Sequence, residues 1–293
     1  MGPSFVVVGI GELLWDMLPA GKQLGGAPAN FAYHARAMGT DAIVVSCVGD
    51  DALGREILNR LGALGLDRRY VAVHPSAPTG TVEVRLDDKG VPDFIIRRDV
   101  AWDCIPMSEG MVELARRADA VCFGSLAQRG EVSRRTIGEF LKATGEGCLR
   151  VFDINLRQTF FSKEVVEESL GAADVLKLND AELPVVARLL GLAESEREAM
   201  EGLMGRYGLR MVALTRGGEG SRLYVPGKVF EHPGYRAEVV DTVGAGDAFT
   251  AALTVGLLRG EEPGRINERA NRLASFVCSK SGGTPEIAAE MMG

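Results

Sequence analysis

Short apolar runs alternate along the chain with longer segments in which apolar residues recur every three or four positions. Runs that are apolar at nearly every position predict strands buried on both faces, as in a parallel sheet covered by helices. We interpret the following runs as core strands: 5–11, 41–48, 120–124, 149–153, 174–178 and 211–215. The segments with helical spacing include 50–64, 111–117 and 131–143. Strands that alternate with helices predict an α/β fold with a mostly parallel central sheet and right-handed crossovers.

Between residues 68 and 102 the continuous apolar runs give way to an alternation of polar and apolar residues. Residues 70–73, 79–86 and 93–98 alternate in this way, and 87–90 has the composition of a hairpin turn. Alternation predicts strands with one exposed face. We expect a small sheet inserted into the α/β core, whose uncovered face serves as a lid or as a dimer surface.

A glycine-rich turn has the sequence Asp241-Thr242-Val243-Gly244-Ala245-Gly246-Asp247. It follows an apolar run at 235–240, interpreted as a strand, and leads into an apolar helix at 251–258. The amide groups that open a helix have no partner within it and favour an anion such as phosphate. Close packing alone would also explain the two glycines. The Asp247 carboxylate lies where an anion should bind, and the repulsion between the two negative charges is unfavourable. A catalytic base that must act next to a phosphate would account for a carboxylate at this position.

Further polar residues follow the carboxyl ends of the predicted strands, which is where ligands bind in parallel sheets. They are Asp16, Asn30 in a second glycine-rich turn at 25–30, Asn155 and Arg157, Asn179 and Glu182, and a third glycine-rich turn at 216–220. An ordinary helix cap is an open alternative for Asn30, and a solvated loop position is one for Asp16. Chance placement of loop residues explains the whole set poorly.

The composition sets limits on the class of protein. The 293 residues are 46% hydrophobic and 25% charged, and the formal net charge of −7 argues against a nucleic-acid-binding surface. The five cysteines lack Cys-x-x-Cys spacing and the three histidines lie far apart, which argues against a zinc site or a disulfide framework. The chain shows no signal-peptide pattern and no apolar stretch near the ~20 residues of a membrane span. We therefore expect a soluble, cytoplasmic protein with neither nucleic acid nor membrane as partner.

Two familiar nucleotide-binding patterns do not fit the chain. Neither Gly21-Lys22 nor Gly227-Lys228 is followed by Ser or Thr, so no Walker A motif is present. The pair Gly9 and Gly11 lacks the third glycine of a dinucleotide fingerprint, since Leu14 stands at that position. The absence of both complete patterns argues against a P-loop enzyme and against a Rossmann site at the first strand.

Five segments, taken together and in this order, strongly resemble the ribokinase-like (phosphofructokinase-B type) sugar kinases. They are Gly25-Gly26-Ala27-Pro28-Ala29-Asn30, Asp153-Ile154-Asn155-Leu156-Arg157, Asn179-Asp180-Ala181-Glu182, Thr215-Arg216-Gly217-Gly218-Glu219-Gly220 and Asp241-Thr242-Val243-Gly244-Ala245-Gly246-Asp247. Their order and spacing match from end to end. The resemblance implies a three-layer α/β/α ribokinase-like fold in a single domain, 1–293, with lid segments at approximately 12–24 and 68–102.

The resemblance also implies a role for each matching residue. Asp247 is the catalytic base, and the amides of Gly244, Ala245 and Gly246 form the anion hole. The sugar side comprises Asp16, Gly25, Gly26, Asn30, Arg97, Asn155 and Arg157. The nucleotide side comprises Lys177, Asn179, Glu182, Thr215, Gly217, Gly220 and Asn271, and Glu182 also organises Mg²⁺ through water. Asp241 and the carbonyl of Val243 match a monovalent-cation site.

The implied activity is ATP- and Mg²⁺-dependent phosphorylation of a sugar hydroxyl, with K⁺ as a candidate activator. The segments 11–16 and 152–158 are most similar to the fructokinase branch, which favours D-fructose as the acceptor. A 2-keto-3-deoxygluconate kinase and a ribokinase are open alternatives. Two other classes are a sugar- or nucleotide-binding regulator without chemistry and a Rossmann oxidoreductase using Gly244 and Gly246. The resemblance further suggests a homodimer joined through the lid sheets.

Overall fold

The structure is a computed structural model that describes residues 4–18, 21–86 and 92–287. Within them, nine strands form one sheet in the order β13-β12-β11-β10-β9-β8-β1-β4-β5. The strands are β1 Val6–Ile10, β4 Asp41–Gly49, β5 Val71–His74, β8 Ala120–Phe123, β9 Leu149–Asp153, β10 Val175–Asn179, β11 Met211–Thr215, β12 Ser221–Val225 and β13 Lys228–His232. From β11 to β5 neighbouring strands are parallel, and β12 and β13 add an antiparallel edge. The expected mostly parallel sheet is confirmed.

Helices cover both faces of this sheet. They are α1 Ala27–Ala37, α2 Ala52–Ala63, α3 Glu109–Arg117, α4 Glu131–Ala143, α5 Lys163–Ala172, α6 Leu183–Leu190, α7 Glu196–Tyr207, α8 Ala245–Leu258 and α9 Pro263–Cys278. Side chains that alternate along each strand enter two separate apolar cores. One core joins the sheet to α3 through α7, and the other joins it to α1, α2, α8 and α9. The three-layer α/β/α architecture follows from these two cores.

A second, four-stranded sheet has the order β3-β2-β6-β7. Its strands are β2 Leu14–Leu18, β3 Gly21–Gly25, β6 Gly80–Leu86 and β7 Pro92–Ile96. Strand β2 runs parallel to β6, and the other two pairs are antiparallel. The four strands lie in or next to the two predicted lid segments, approximately 12–24 and 68–102, while the hairpin turn predicted at 87–90 lies outside the described residues.

Two strand predictions were wrong. Residues 71–74 belong to the large sheet rather than to the insertion, because β5 pairs in parallel with β4 as its edge strand. An edge strand with Val71 buried and Val73 half exposed shows the same alternation as a strand of a small sheet. The run at 235–240 forms no strand, and Val239 and Val240 are each 62% exposed. Its apolar residues border an open cleft instead of entering a core.

The start of α1 is packed unusually close to β1. A methyl group built on Gly9 would lie 2.2 Å from the carbonyl oxygen of Pro28, well inside van der Waals contact. Only glycine at this position lets the first turn of α1 rest on the strand. The approach places Asn30, in that first turn, above the carboxyl end of the large sheet.

Candidate active site

A cleft of about 1280 Å³ lies at the carboxyl ends of the parallel strands and beneath the small sheet. One end is bordered by the inner face of the small sheet and by the start of α1, and we call it the sugar end because the sequence resemblance predicts the sugar there. The other end is bordered by the loops after β10 and β11 and by α9, and we call it the nucleotide end for the same reason. The position agrees with the rule that parallel sheets bind ligands beyond the carboxyl ends of their strands.

The glycine-rich turn lies between the two ends of the cleft. Helix α8 begins after Gly244, which has φ 76° and offers no side-chain cap. The Ala245 amide makes only a long 3.4 Å hydrogen bond to the carbonyl oxygen of Thr242, and the next amides of the helix, those of Gly246 and Asp247, are left for a ligand. A methyl group built on Gly244 would lie 2.5 Å from the Cα of Gly283, which makes glycine necessary here as well. Gly244, Ala245, Gly246 and Asp247 all line the cleft. The turn therefore combines free amides with a carboxylate in one helical turn.

Asp247 is held by Asn30. The Asn30 Nδ2 donates a hydrogen bond of 2.8 Å to Asp247 Oδ2, across 217 residues of sequence. Burial and the nearby charge of Asp153 raise the pKa of Asp247 to about 7, although Asn30, Lys177 and Arg157 oppose the shift. A carboxylate with a pKa near neutrality is suited to accept a proton at physiological pH.

A buried ion pair supports the turn from below. Lys177 Nζ donates to Asp153 Oδ1 at 3.1 Å, and the Thr250 hydroxyl donates to Asp153 Oδ2 at 2.7 Å. A methyl group on Gly246 would lie 3.0 Å from Lys177 Nζ, so the ammonium group lies directly against the turn. Burial lowers the pKa of Lys177, but the charges of Asp153, Glu182 and Asp247 outweigh it and raise the pKa above its ordinary value. Lys177 therefore remains a cation at the anion-binding turn.

The sugar end brings together most of the side chains predicted for it. Asp16, Gly25, Gly26, Asn30, Asn155 and Arg157 all line the cleft. A methyl group on Gly25 would lie 2.4 Å from Asp16 Oδ2, so the missing side chain leaves room for that carboxylate. Burial, with a contribution from the charge of Asp241, raises the pKa of Asp16 to about 6, and Arg157 opposes it.

The structure does not bring Arg97 into the cleft. Ile96, at the end of β7, lines the cleft, and side chains alternate across a strand, so the next residue is directed away. The Arg97 side chain is exposed, and its carbonyl oxygen accepts a hydrogen bond from Arg129 Nη2. The predicted reach of Arg97 to the sugar is not supported by this geometry.

The nucleotide end also matches its prediction in part. Lys177, Asn179, Thr215, Gly217 and Asn271 line the cleft, whereas Glu182 and Gly220 do not.

Glu182 and Gly220 instead support the walls of the nucleotide end. The Glu182 carboxylate accepts hydrogen bonds from the amides of Leu156 at 2.9 Å and Asn179 at 2.8 Å, and so ties two loops together. Gly220 packs against the end of β13, where a methyl group would lie 2.0 Å from the carbonyl oxygen of His232. Both residues shape the cleft from behind its surface.

The Asp241 carboxylate is occupied by main-chain donors. Its Oδ1 accepts from the amide of Val243 at 3.0 Å, and its Oδ2 accepts from the amide of Gly282 at 3.1 Å. Within the described residues, no group of three or more His, Cys, Asp or Glu side chains is arranged to hold a metal ion. A cation beside Asp241 would therefore depend mainly on carbonyl oxygens.

The segment around Gly283 joins the parts of the site. Gln23 of β3 donates to the hydroxyl of Ser281 at 3.2 Å, and the buried ring of His34 in α1 shares a 2.9 Å hydrogen bond with the carbonyl oxygen of Gly283. The same glycine packs against Asn30 and Gly244. Residues 281–283 thus contact the small sheet, α1 and the start of α8.

Sequence reasoning missed several residues that the structure places at the site. Glu12 and the 235–239 loop line the cleft, and Asp153 and Thr250 lie beneath the turn. Asp153 closes a buried strand, and an acid at that position was a usable signal. Nothing in the local pattern marks the 235–239 loop as a cleft wall, because its apolar residues resemble a strand.

All five cysteines are free thiols. In the part of the chain that the structure describes, no helix is both long enough and apolar enough to cross a membrane.

The chain was compared with protein-family models and known proteins. The model of the pfkB family of carbohydrate kinases matches residues 19–289. An uncharacterized sugar kinase of Pyrococcus horikoshii is 30% identical over 94% of this chain and 91% of its own length. Fructokinase-1 of Oryza sativa subsp. japonica is 29% identical over 99% of this chain and 97% of its own.

Solved structures agree with the sequence matches. The Pyrococcus horikoshii sugar kinase has a TM-score of 0.79 at 28% identity and covers 95% of this chain, with 93% of its own chain matched. Fructokinase from Vibrio cholerae O395, solved with fructose, ADP and calcium, has a TM-score of 0.81 at 24% identity, covering 96% of this chain and 94% of its own. At this identity the second likeness concerns the fold alone. The expected ribokinase-like fold is confirmed.

Proposed function

Because the chain belongs to the pfkB family of carbohydrate kinases and is an ATP-dependent sugar kinase, we propose that it transfers the γ-phosphate of ATP to a hydroxyl of D-fructose. The observation that carries the proposal is Asp247, a carboxylate with a pKa near 7 placed beside the free amides of a helix start. Such a turn pairs a base for the hydroxyl with donors for the phosphate.

The reaction needs a base and a place for negative charge. Asp247 accepts the proton of the sugar hydroxyl while the hydroxyl oxygen attacks the γ-phosphorus of ATP, and ADP leaves from the opposite side. The amides of Gly244, Ala245 and Gly246, with the Lys177 ammonium beneath them, meet the charge that develops on the phosphoryl oxygens. Phosphoryl transfer relies mainly on such positioning and charge stabilisation.

The nucleotide end of the cleft fits ATP. Tyr235, Val239 and Ala274 provide apolar surface there, and Thr215 and Asn271 provide polar atoms for a purine and a ribose. Asn271 is itself held, since its Nδ2 donates to Ser221 Oγ at 2.7 Å. A cleft with mostly apolar walls and a few fixed polar groups is typical of nucleotide sites.

The donor set also fits a loosely held divalent ion. Because both Glu182 oxygens accept main-chain amides and no acidic cage is built among the described residues, Mg²⁺ would be held by ATP phosphates and water. Asn179, which lines the cleft, would orient that water, and Glu182 would act only by holding the Asn179 loop. When bound, the ion neutralises phosphate charge. We propose K⁺, beside Asp241 and the Val243 carbonyl, as an aid to the rigidity of the turn rather than as a reactant.

Charge favours a neutral sugar over a sugar acid or phosphate. Among the described residues that line the sugar end, Asp16 and Asp247 supply carboxylates and Arg157 is the cation, while burial favours the neutral form of Glu12 by raising its pKa. The carboxylate of a sugar acid, or the phosphate of a sugar phosphate, would therefore face more carboxylates than cations. The fructokinase names of relatives at 29% identity point the same way. Arg157 is the one observation that favours 2-keto-3-deoxygluconate, whose carboxylate it could pair with.

A coupled ADP-release assay tests the proposal directly. We expect Mg²⁺-dependent ADP release with D-fructose at a kcat/KM at least tenfold above that with 2-keto-3-deoxygluconate or ribose. K⁺ should raise the rate without becoming essential. A higher kcat/KM with 2-keto-3-deoxygluconate than with fructose would identify the sugar acid as the acceptor, with its carboxylate paired to Arg157. ADP release with none of these sugars would contradict the proposed acceptor class.

We further propose that the small sheet is a lid on a single domain and that its outer face joins two copies of the chain. Met17 is 38% exposed on that outer face, next to Asp16 on the inner one. Sedimentation velocity of the wild type and Met17→Lys tests this pairing. A monomer at micromolar concentration for the wild type would contradict it.

A further inference from the structure

Glu12 is a buried acid beside the proposed base. It lies just beyond β1 and is 3% exposed, although glutamate is rarely buried without a partner. Its Oε2 atom is fully buried and has no hydrogen-bond partner among the described residues. Its main chain is fixed against the start of α1, since a methyl group on Gly26 would lie 2.5 Å from the Glu12 carbonyl oxygen. The Glu12 main chain is therefore fixed next to the cleft, and its buried carboxyl group has one unsatisfied oxygen.

A small cavity beside the cleft lies between Glu12 and Asp247. Glu12, Asp153 and Asp247 all line it, and Cys122 contributes to its wall. Its volume of about 10 Å³ is close to that of one water-sized sphere. A buried water needs two to four polar partners, and the three carboxyl groups can provide them. The cavity thus suits a single bridging water.

The three carboxyl groups differ in how they are satisfied. Asp153 accepts hydrogen bonds from Lys177 and Thr250, and Asp247 Oδ2 accepts one from Asn30. Both carboxylates therefore have donors that stabilise their ionised form. Glu12 has no comparable donor at Oε2.

Burial favours the protonated form of Glu12. It raises the Glu12 pKa, against the amides of Glu12 and Ala27 and the charge of Arg157, and the charge of Asp153 adds to the rise. A protonated carboxyl group becomes a hydrogen-bond donor.

We propose that Glu12 is a positioning residue for Asp247: its protonated carboxyl group donates to one water molecule in this cavity, and that water donates to the Asp247 carboxylate. Glu12 keeps its proton throughout, so no bond is made or broken by it. The second donor, together with Asn30, holds Asp247 in one orientation and favours its ionised, proton-accepting form. The inference rests on the proposed role of Asp247 as base and identifies what tunes it.

The test is a titration of the Asp247 carboxyl carbon by ¹³C NMR, which requires no turnover. The charged groups that face Asp247 are Asp153, Lys177 and Arg157, and all three stay unchanged in the variants. In Glu12→Ala the donor is lost, and we expect the Asp247 midpoint to rise by about one pH unit, a tenfold change in proton affinity. In Glu12→Gln the amide still donates, so the midpoint should stay near that of the wild type.

Cys122→Ala is the matched control, because it enlarges the same cavity and leaves the acid in place. A shift in this control equal to that of Glu12→Ala would assign the effect to cavity hydration and overturn the proposal. An unchanged or lowered midpoint in Glu12→Ala would also overturn it. So would a midpoint lowered by about a unit in Glu12→Gln, because this would show that Glu12 is ionised in the wild type.

Kinetics separate failure of this inference from failure of the proposed function. With fructose-dependent ADP release established in the wild type, the acid limb of kcat/KM should move up in Glu12→Ala and return toward the wild-type position in Glu12→Gln. A wild type without sugar-dependent turnover would remove the proposed function, while the NMR midpoints would still decide the coupling between Glu12 and Asp247.

Discussion

The ionisation of Asp247 should set the pH range in which the enzyme works. A base must be unprotonated to act, so the rate should rise as the pH increases through its pKa of about 7 and then level off. We expect kcat/KM for the sugar to fall about tenfold for each pH unit below that value. The measurement is a pH profile at saturating ATP. An acid limb near pH 4 would show that the buried carboxylates do not raise the pKa of the base.

Replacing Asp247 with asparagine should separate activity from stability. We expect Asp247→Asn to lower kcat by about 10²–10⁴, the usual contribution of a positioned base. Because burial raises the pKa of Asp247 in the folded state, the wild type is favoured below its unfolded pKa and loses stability as the pH rises through about 7. The variant should therefore melt higher than the wild type at pH 8.

That advantage of Asp247→Asn should shrink as the pH falls toward 5, because the wild-type carboxyl group becomes neutral as well. Thermal unfolding of both proteins across this pH range measures the effect. Unchanged turnover would remove Asp247 as the base. Equal melting temperatures at pH 8 would show that the carboxylate is not desolvated.

The sequence indicated the residues that line the cleft better than the buried residues that hold them in place. The motif around Asp247 and the glycines at 25 and 26 was recognisable, because their chemistry depends on local sequence. The burial of Glu12 and the pairing of Asp153 with Lys177 depend on tertiary contacts, since Asp153 and Lys177 meet only because β9 and β10 lie side by side in the sheet. Arg97 was misplaced because a one-residue step along a strand reverses the face on which a side chain lies.

At the scale of elements, the contact between β1 and α1 controls the position of Asn30. Gly9→Ala would place a methyl group 2.2 Å from the carbonyl oxygen of Pro28, so the first turn of α1 must move. We expect a loss of about 1–3 kcal/mol in the free energy of unfolding, typical of overpacking, together with a lower kcat. Urea unfolding and the ADP-release assay measure the two effects.

Gly62→Ala is the matched control for Gly9→Ala. Gly62 lies in α2 with no atom within 4 Å of a built methyl group, and alanine is favoured in a helix. This variant should gain about 0.5–1 kcal/mol and keep full activity. A Gly9→Ala protein as stable and active as the control would show that α1 does not depend on that approach.

The central elements were predictable because burial on both faces produces continuous apolar runs, as in β1, β4 and β8 to β11. The edges of the sheet were not, because alternation shows only that one face is exposed. It does not say which sheet a strand joins, so β5 was assigned to the insertion. The run at 235–240 has strand-like residues but borders a cleft, and only the tertiary structure reveals that use.

For the whole molecule, we expect the proposed lid, the small sheet, to close over the cleft and protect ATP from water. Gln23, on the inner face of β3, contacts Ser281 and is the side chain by which the small sheet holds that segment. We expect Gln23→Ala to raise ATP hydrolysis in the absence of sugar several-fold. The measurement is ADP release without acceptor, compared with the wild type.

Lys22→Ala provides the control, since Lys22 neighbours Gln23 but pairs with Glu56 away from the cleft. It should leave hydrolysis without sugar at the wild-type rate. Equal rates in the two variants would contradict a closing role for the Gln23 contact.

The contacts of Gly283 have a consequence for the order in which the protein is made. The turn that carries Asp247 rests on this glycine, and Asn30 and His34 do so as well, although both lie 249 or more positions earlier in the chain. Synthesis proceeds from the N-terminus, and domains begin to fold as they emerge. A nascent chain can thus build its central sheet early, yet its phosphate turn has nothing to rest on until translation has passed residue 283. Catalytic competence is therefore acquired only after residue 283 has been translated, and ribosome-bound fragments that end before it should be inert toward ATP.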